Sequence, residues 1–504
     1  MPKRMPIFYS ALLLTGVNLL LRLVGTSFQV YISARIGAAG VGLLQLVMSV
    51  GGMAMVAGMA GIRTGTMYLA AEELGKGRKQ NVPWVLSGSF AYSILFSGGV
   101  AAGLILFAPW IAEHWIGNPQ TVSALRLFGA FLPLSCLCGV MTGYFTAANR
   151  IGTLAAVEVA EQLLSMAVTM GALTLWAGTS SARACLCVIL GSGAGTCLTL
   201  GCLVVLHLKT RPDRGRRILV ARRLMDTAVP LAVADDLRTG INTVENLMVP
   251  KRLALCTLVE NPLASFGVVS GMVFPVLMFP SCILFALAEL LIPELARCAA
   301  AESRQRIRYL TNRSLKVALL YGLVFSGLEC LLAESLCVKL YGNTEAGRNL
   351  KLYALLIPML YCDLITDAML KGLGQQKVSV RYNILTSVMD VVFLYFLLPE
   401  YGLRGYFVSF FVTHLINFCL SLGRLVKVTR VRIPAKVPVL ALSAGAGAVA
   451  MCRGIPGDAA RVTTYLLVLG SLLTLFGITG KEDLRWFRGL IRQQNPAEVS
   501  PPQG

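Results

Sequence analysis

Long apolar runs alternate along this chain with short polar connectors, most of them basic. A run of about 20 residues matches the hydrocarbon thickness of a bilayer, about 30 Å, at 1.5 Å of helix per residue. The pattern predicts fourteen spanning helices: 7–30, 40–62, 84–108, 122–147, 154–177, 183–206, 225–249, 263–292, 315–338, 349–370, 381–398, 404–423, 437–452 and 462–479. The expected fold is an all-α polytopic membrane protein. The first run follows Lys3 and Arg4, as the apolar part of a signal peptide would. It contains Arg22 and meets no small-residue cleavage site, so it reads as span one.

Composition strengthens this reading. Of the 504 residues, 56% are hydrophobic and 14% charged, and the mean hydropathy is +0.70. Soluble domains carry about 25% charged residues. A soluble enzyme, a disordered chain and a secreted disulfide scaffold are all excluded. The fourteen cysteines are scattered through apolar stretches without a CxxC pair, and they read as small buried side chains. With no metal motif, phosphate loop or nucleophile–base pair, the chain reads as a non-enzyme without a cofactor. Glu113 and His114 are adjacent in a loop, which does not make a site.

The net charge of +20 would suggest nucleic acid in a soluble protein. Here it sorts by side of the membrane. With the N-terminus inside, 30 Lys and Arg fall in inner segments, nine in outer ones and six in or at the ends of spans. Cytoplasmic loops collect Lys and Arg, so both termini are placed in the cytoplasm of a plasma membrane protein. No nucleic-acid partner is expected.

Six spans end at the basic loop 207–224 and six more at 424–436. Residues 144–170 and 370–396 match as span–turn–span units of the two halves. Two repeats of the same orientation are related by an axis along the membrane normal, as in some transporters. The predicted organisation is an N-lobe (1–215, spans one to six), a C-lobe (216–430, spans seven to twelve), two added spans (431–480) and a basic tail (481–504), which carries an amphipathic surface segment.

Ionised groups at mid-membrane cost about 2.5–3.5 kcal/mol on insertion scales, so they tend to face a wet cavity or a partner. Arg22, deep in span one, is the leading cavity residue, followed by Arg35 and Arg63, for which snorkelling to an interface is the alternative. Span seven carries Asp235, Asp236 and Arg238, with Asp235 and Arg238 spaced to pair on one face. Glu245 stands at its outer end, where a carboxylate faces solvent. Asp363, Asp367 and Asp390, together with Glu158 and Glu161, are candidates for Na⁺ or H⁺ coupling or for neutralisation by neighbouring arginines. Pro275 and Pro280 in span eight, and the glycines of span two, are the candidate hinges.

Several ordered motifs carry a family resemblance. Residues 18–47, NLLLRLVGTSFQVYISARIGAAGVGLLQLV, resemble the first-span signature of the stage V sporulation protein B group, and the match includes Arg22, Gly25, Arg35, Gly37, Gly40 and Gly42. Residues 61–79, 143–162 and 265–294 follow in the order seen in that group. It lies in the superfamily of multidrug exporters, oligosaccharidyl-lipid flippases and the lipid II flippase MurJ. The resemblance covers residues 7–425. The Asp235–Arg238 cluster departs from the pattern and leaves the substrate open.

The resemblance implies two six-helix lobes around a cavity that opens alternately to each side. It implies arginines, Arg22 first, that engage a lipid-linked pyrophosphate, and a C-terminal helix pair forming a groove for the lipid tail. The function it implies is flipping of an undecaprenyl-linked glycan, such as a peptidoglycan or polysaccharide precursor, by a monomer surrounded by membrane lipids. A cation-coupled multidrug exporter with an acidic cavity and a non-transporting scaffold of cell-wall assembly are the rivals.

Overall fold

In the computed structural model the described residues are 7–148, 150–177, 180–209, 221–431, 434 and 436–478. The basic tail, Lys3, Arg4 and most of the loop 207–224 lie outside them. Seventeen α-helices carry the fold, and there is no strand among the described residues. The first half comprises α1 (Ile7–Met59), α2 (Ile62–Gly75), α3 (Val82–Trp110), α4 (Val122–Ala147), α5 (Ile151–Ala172) and α6 (Ser181–Leu208). The second comprises α7 (Ala221–Leu253), α8 (Pro262–Gly267), α9 (Phe274–Met278), α10 (Ser281–Ala300), α11 (Arg304–Tyr341), α12 (Thr344–Tyr353), α13 (Ile357–Gly372), α14 (Gln376–Tyr401) and α15 (Leu403–Thr429). The hairpin of α16 (Lys436–Cys452) and α17 (Asp458–Leu475) closes the chain.

These helices resolve into fourteen spans. Ten segments are long and apolar enough to cross a bilayer, and the bent pair Pro262–Met278 and Ser281–Ala300 makes another. The segment Leu19–Gly75 holds two spans, because α1 turns at Gly37 (φ 72°, ψ 172°), a left-handed conformation that glycine adopts without strain. The remaining two are α7, whose charges lower its hydropathy, and the short α16. Several helices outrun the apolar runs of the sequence. α7 continues to Leu253, and the second span continues through a break at Ala60 and Gly61 into the polar α2.

Helices α3, α4, α5 and α6 pack on one another, and α10, α11, α13, α14 and α15 do the same in the second half. The helix α1 belongs to both, touching α3 to α6 on one side and α7, α8 and α10 on the other. The main buried cluster therefore runs from Ile32 through Val273 to Leu425, across the junction of the halves. The α16–α17 hairpin lies against α11, where the buried Tyr465 gives its hydroxyl to the Leu323 carbonyl at 2.7 Å.

The junction is tightest between α1 and α8. A Cβ on Gly42 would lie 2.2 Å from the Leu263 carbonyl oxygen, and one on Gly267 1.9 Å from that of Ala38. Absent side chains let the two backbones meet, the usual device of packed membrane helices. Deeper in the junction Asn246 of α7 donates to Ser49 of α1 at 3.0 Å, and Ser33 donates to the Gly271 carbonyl at 2.9 Å.

Span eight is broken. After a π-helical stretch at Val268–Val273, α9 runs to Met278 and α10 leaves at 61°. Pro280 stands at the break, and Pro275 opens α9. A proline has no N–H for the carbonyl four residues back. For Pro275 that carbonyl is Gly271, the one that takes the Ser33 hydroxyl. At the break, Tyr361 donates to the Leu277 carbonyl at 3.1 Å and Tyr321 to the Pro280 carbonyl at 2.7 Å. Carbonyls released by the bend are thus bonded by side chains of neighbouring helices, as a low-dielectric surround requires.

Candidate functional site: an inter-lobe cleft and a carboxylate pair

Arg22 sits on the first span and reaches across the junction. Its guanidinium carbon lies 3.8 Å from the centroid of the Phe285 ring on α10, with Cys282 one turn away. Arg22 itself is exposed, and its guanidinium is stacked on that ring. Gly25, one turn on, faces Gln162 of α5. Arg63 is also exposed and carries its charge beside Glu158 of α5. The α2 backbone comes close to α4 here, since a Cβ on Gly143 would lie 2.4 Å from the Arg63 carbonyl. Glu161, one turn beyond Glu158, accepts the Thr199 hydroxyl of α6 at 2.6 Å.

Not every expected charge gathers here. Arg35 is exposed near the Gly37 turn, away from Arg22 by more than three helical turns. Arg238 is exposed on α7 and Asp236 half-buried. The side chain of Asp235 lies outside the described residues, and so does its expected pairing with Arg238.

The carboxylates of the second half separate into three settings. Asp367 pairs with Lys371 at 2.6 Å and accepts the Ser379 hydroxyl. Its charge is matched on its own helix. Asp363, one turn earlier, accepts from Asn417 of α15 at 3.0 Å, while its other oxygen has no hydrogen-bond partner among the described residues. Asp390 is buried on α14. It accepts Ser409 at 2.5 Å and Thr413 at 3.2 Å, both from α15.

Glu245 of α7 stands beside Asp390, near enough for the two carboxyls to act on each other electrostatically. This corrects the expectation that Glu245 faces solvent. The sequence places it near the end of an apolar run, but α7 extends two turns beyond it and packs on α14, where Glu245 is half-buried. Tyr353 and Tyr406 are buried beside this pair, Tyr353 against Phe410, which stacks on His414 at 3.9 Å. The pairing itself had no signal in the sequence, since Glu245, Asp390, Ser409 and Thr413 come from three helices.

The cysteines behave as small core residues, and none is in a disulfide. Ten are buried, and Cys197 and Cys419 are the exposed ones. Among the described residues no cluster of three or more His, Cys, Asp or Glu is placed to hold a metal ion.

Comparison with known proteins defines the class first. The fold is that of transporters of the MOP superfamily. An inward-facing multidrug resistance MATE transporter superposes with a TM-score of 0.66 at 14% identity, covering 83% of this chain and all of that one. The lipid II flippase MurJ, in an inward closed conformation, gives a TM-score of 0.65 at 12% identity, covering 95% of this chain and all of MurJ. That share is too large to leave out the α16–α17 hairpin. A MOP superfamily transporter from Pyrococcus furiosus, whose title describes reverse polarity of its binding pocket, matches with a TM-score of 0.58 at 14% identity over 82% of this chain and 96% of its own.

Sequence narrows the comparison further. Residues 76–317 match the family model described as polysaccharide biosynthesis protein. The stage V sporulation protein B of Bacillus subtilis (strain 168) is 22% identical over 406 residues, 78% of each chain. The chain is a multi-pass membrane protein with the architecture of flippase-type transporters, related in sequence to the stage V sporulation protein B group.

Proposed function

We propose that this protein is a flippase for a lipid-linked, phosphate-bearing glycan, which it moves across the plasma membrane by alternating access. The observation that carries this reading is Arg22, an exposed arginine of the first half stacked on Phe285 of the second. A sugar–phosphate head does not enter about 30 Å of hydrocarbon unaided. A guanidinium offers paired N–H donors to phosphate oxygens, and its charge stays fixed at any physiological pH. The lobes provide a path for the head while the tail remains in lipid, against the α16–α17 hairpin. An undecaprenyl-linked peptidoglycan or polysaccharide precursor fits this chemistry, and the relatives in polysaccharide biosynthesis favour it over a drug. Arg63, exposed beside Glu158 of α5, is the second arginine assigned to the head.

The driving force belongs to a different place in the molecule. Asp390 and Glu245 bring two carboxyls together between α7 and α14, with hydroxyls beside them, a set of oxygens suited to a small cation. In the reading proposed here Asp390 and Glu245 take up H⁺ or Na⁺, with Ser409 and Thr413 completing the oxygen set. Asp363 is a secondary candidate. Asp367 and Glu161 act as local ties, through Lys371 and Thr199.

The test is flipping in reconstituted liposomes. A fluorescent lipid-linked pyrophosphate sugar should cross with native protein and should not cross with Arg22→Ala, while that variant remains folded and inserted. Transport of a cationic drug in place of the lipid-linked sugar, or full flipping by Arg22→Ala, would refute the assignment.

A further inference from the structure

Of the nine basic residues assigned to the outside, five converge on one spot, brought there by two stretches about a hundred residues apart, the α11–α12 corner and the α16–α17 turn. Two adjoining cavities of about 230 and 520 Å³ lie where α11 ends, α12 begins and the α16–α17 turn folds back. The smaller is lined by Lys351, Arg453 and Arg461, the larger by Lys339 and Arg348. They share Glu334 and Ser335, and Glu334 is the only acidic residue in either lining.

Ion pairing leaves this charge largely uncompensated. Lys339 is taken by Asp458 at 2.8 Å, and Lys351 approaches Glu334 at 3.8 Å. Among the described residues neither Arg348 nor Arg453 has a carboxylate partner. Arg461 has a positioning part: it donates to the Leu331 carbonyl at 3.0 Å and to the Ile455 carbonyl at 3.1 and 3.2 Å. It thereby ties the hairpin turn to α11 and fixes the rim of the cavity. Gathering surplus positive charge at this end runs against the bias that keeps Lys and Arg in the cytoplasm.

The setting selects the kind of anion. The cavities open where spans end, and half-exposed Val338 lines the larger one. Met451, two residues before Arg453, is 66% exposed. A ligand with an anionic head and apolar chains satisfies both kinds of surface, whereas a free anion satisfies only one.

We propose that this pocket is a docking site for the phosphate of an anionic membrane lipid in the outer leaflet, clamped between the C-lobe and the C-terminal hairpin. Arg453, Lys351 and Arg348 contact the phosphate, and Val338 and Met451 contact the chains. The site is separate from the Arg22 cleft and stands whichever cargo that cleft carries.

Native mass spectrometry of the detergent-purified full chain, titrated with phosphatidylglycerol, phosphatidylethanolamine or inorganic phosphate, tests this. The native protein should retain phosphatidylglycerol in preference to phosphatidylethanolamine. The Lys351→Gln/Arg453→Gln double variant should lose at least fivefold in phosphatidylglycerol affinity, and Arg22→Ala should leave it unchanged. Arg461 is left in place because it holds the turn. Equal lipid retention by the double variant overturns the site. Displacement of the lipid by millimolar inorganic phosphate overturns the lipid as its occupant. If the double variant loses its thermal transition, Arg453→Lys, which keeps the charge, must retain binding for the proposal to survive.

Discussion

Two kinds of charge stand among the spans of this protein, and their surroundings give them different work. Arg22 is exposed and stacks its guanidinium on Phe285. Phe285→Leu removes the stack while leaving the charge, and its expected effect is about 0.5–1 kcal/mol in substrate affinity, two- to fivefold, read from the concentration dependence of flipping. The carboxyl pair is more sensitive. Asp390 is held by two hydroxyls and opposed by Glu245. Glu245→Gln keeps the shape and removes one of the two carboxyls available to a cation. Folding stability should therefore hold, while flipping driven by an imposed H⁺ or Na⁺ gradient should fall at least tenfold. Gradient-driven flipping and a thermal melt, measured on the same preparation, check both halves of that expectation. A variant that melts early or retains its gradient dependence would remove Glu245 from the coupling site.

Among the helices, the fourteen apolar runs were legible because each is bounded by polar turns and is about as long as a bilayer is thick. Their number and order agree with the spans of the structure. What the pattern missed is where helices break and how far they run past the hydrocarbon. The second span breaks at Ala60–Gly61, where Tyr92 donates to the Ala60 carbonyl at 3.2 Å. Nothing in the local sequence announces that bond, because its donor comes from the next span. Pro275 and Pro280 marked span eight as bent, but the tyrosines that bond its loosened carbonyls, Tyr321 and Tyr361, come from α11 and α13. Arg22 was legible as an isolated charge within Leu and Val. The Glu245–Asp390 contact was not, since it depends on helix register in three dimensions. The glycine junction carries its own prediction. Gly267→Leu places a side chain against the α1 backbone, which cannot move aside as a flexible side chain can. The lobes should part at this end, and a cysteine placed at Ala38 should then react faster with an impermeant thiol reagent added from outside. An unchanged labelling rate would mean that the α1–α8 contact does not close this end.

Taken whole, the molecule joins its halves mainly through α1, with α2 and α3 also touching α7, and has a close-packed end where α1 meets α7 and α8. If the halves rock to expose the Arg22 cleft alternately, this end must separate once in every cycle. The Ser49–Asn246 pair measures that separation directly, because the two side chains meet at 3.0 Å from opposite halves. Cysteines at both positions, in a chain whose two exposed thiols, Cys197 and Cys419, are replaced by serine, can be bridged by a short bifunctional thiol reagent. The buried native thiols should react slowly under the same conditions. Bridging should stop flipping, a reducible bridge should restore it on reduction, and each single cysteine should transport normally throughout. A spacer long enough to span the open state should permit transport, so activity should rise with spacer length. Flipping that continues under the shortest bridge would show that the cargo passes without separation of this end. The path would then have to run along the lipid-facing side of the lobes, where the α16–α17 hairpin lies, and not through the cleft between them.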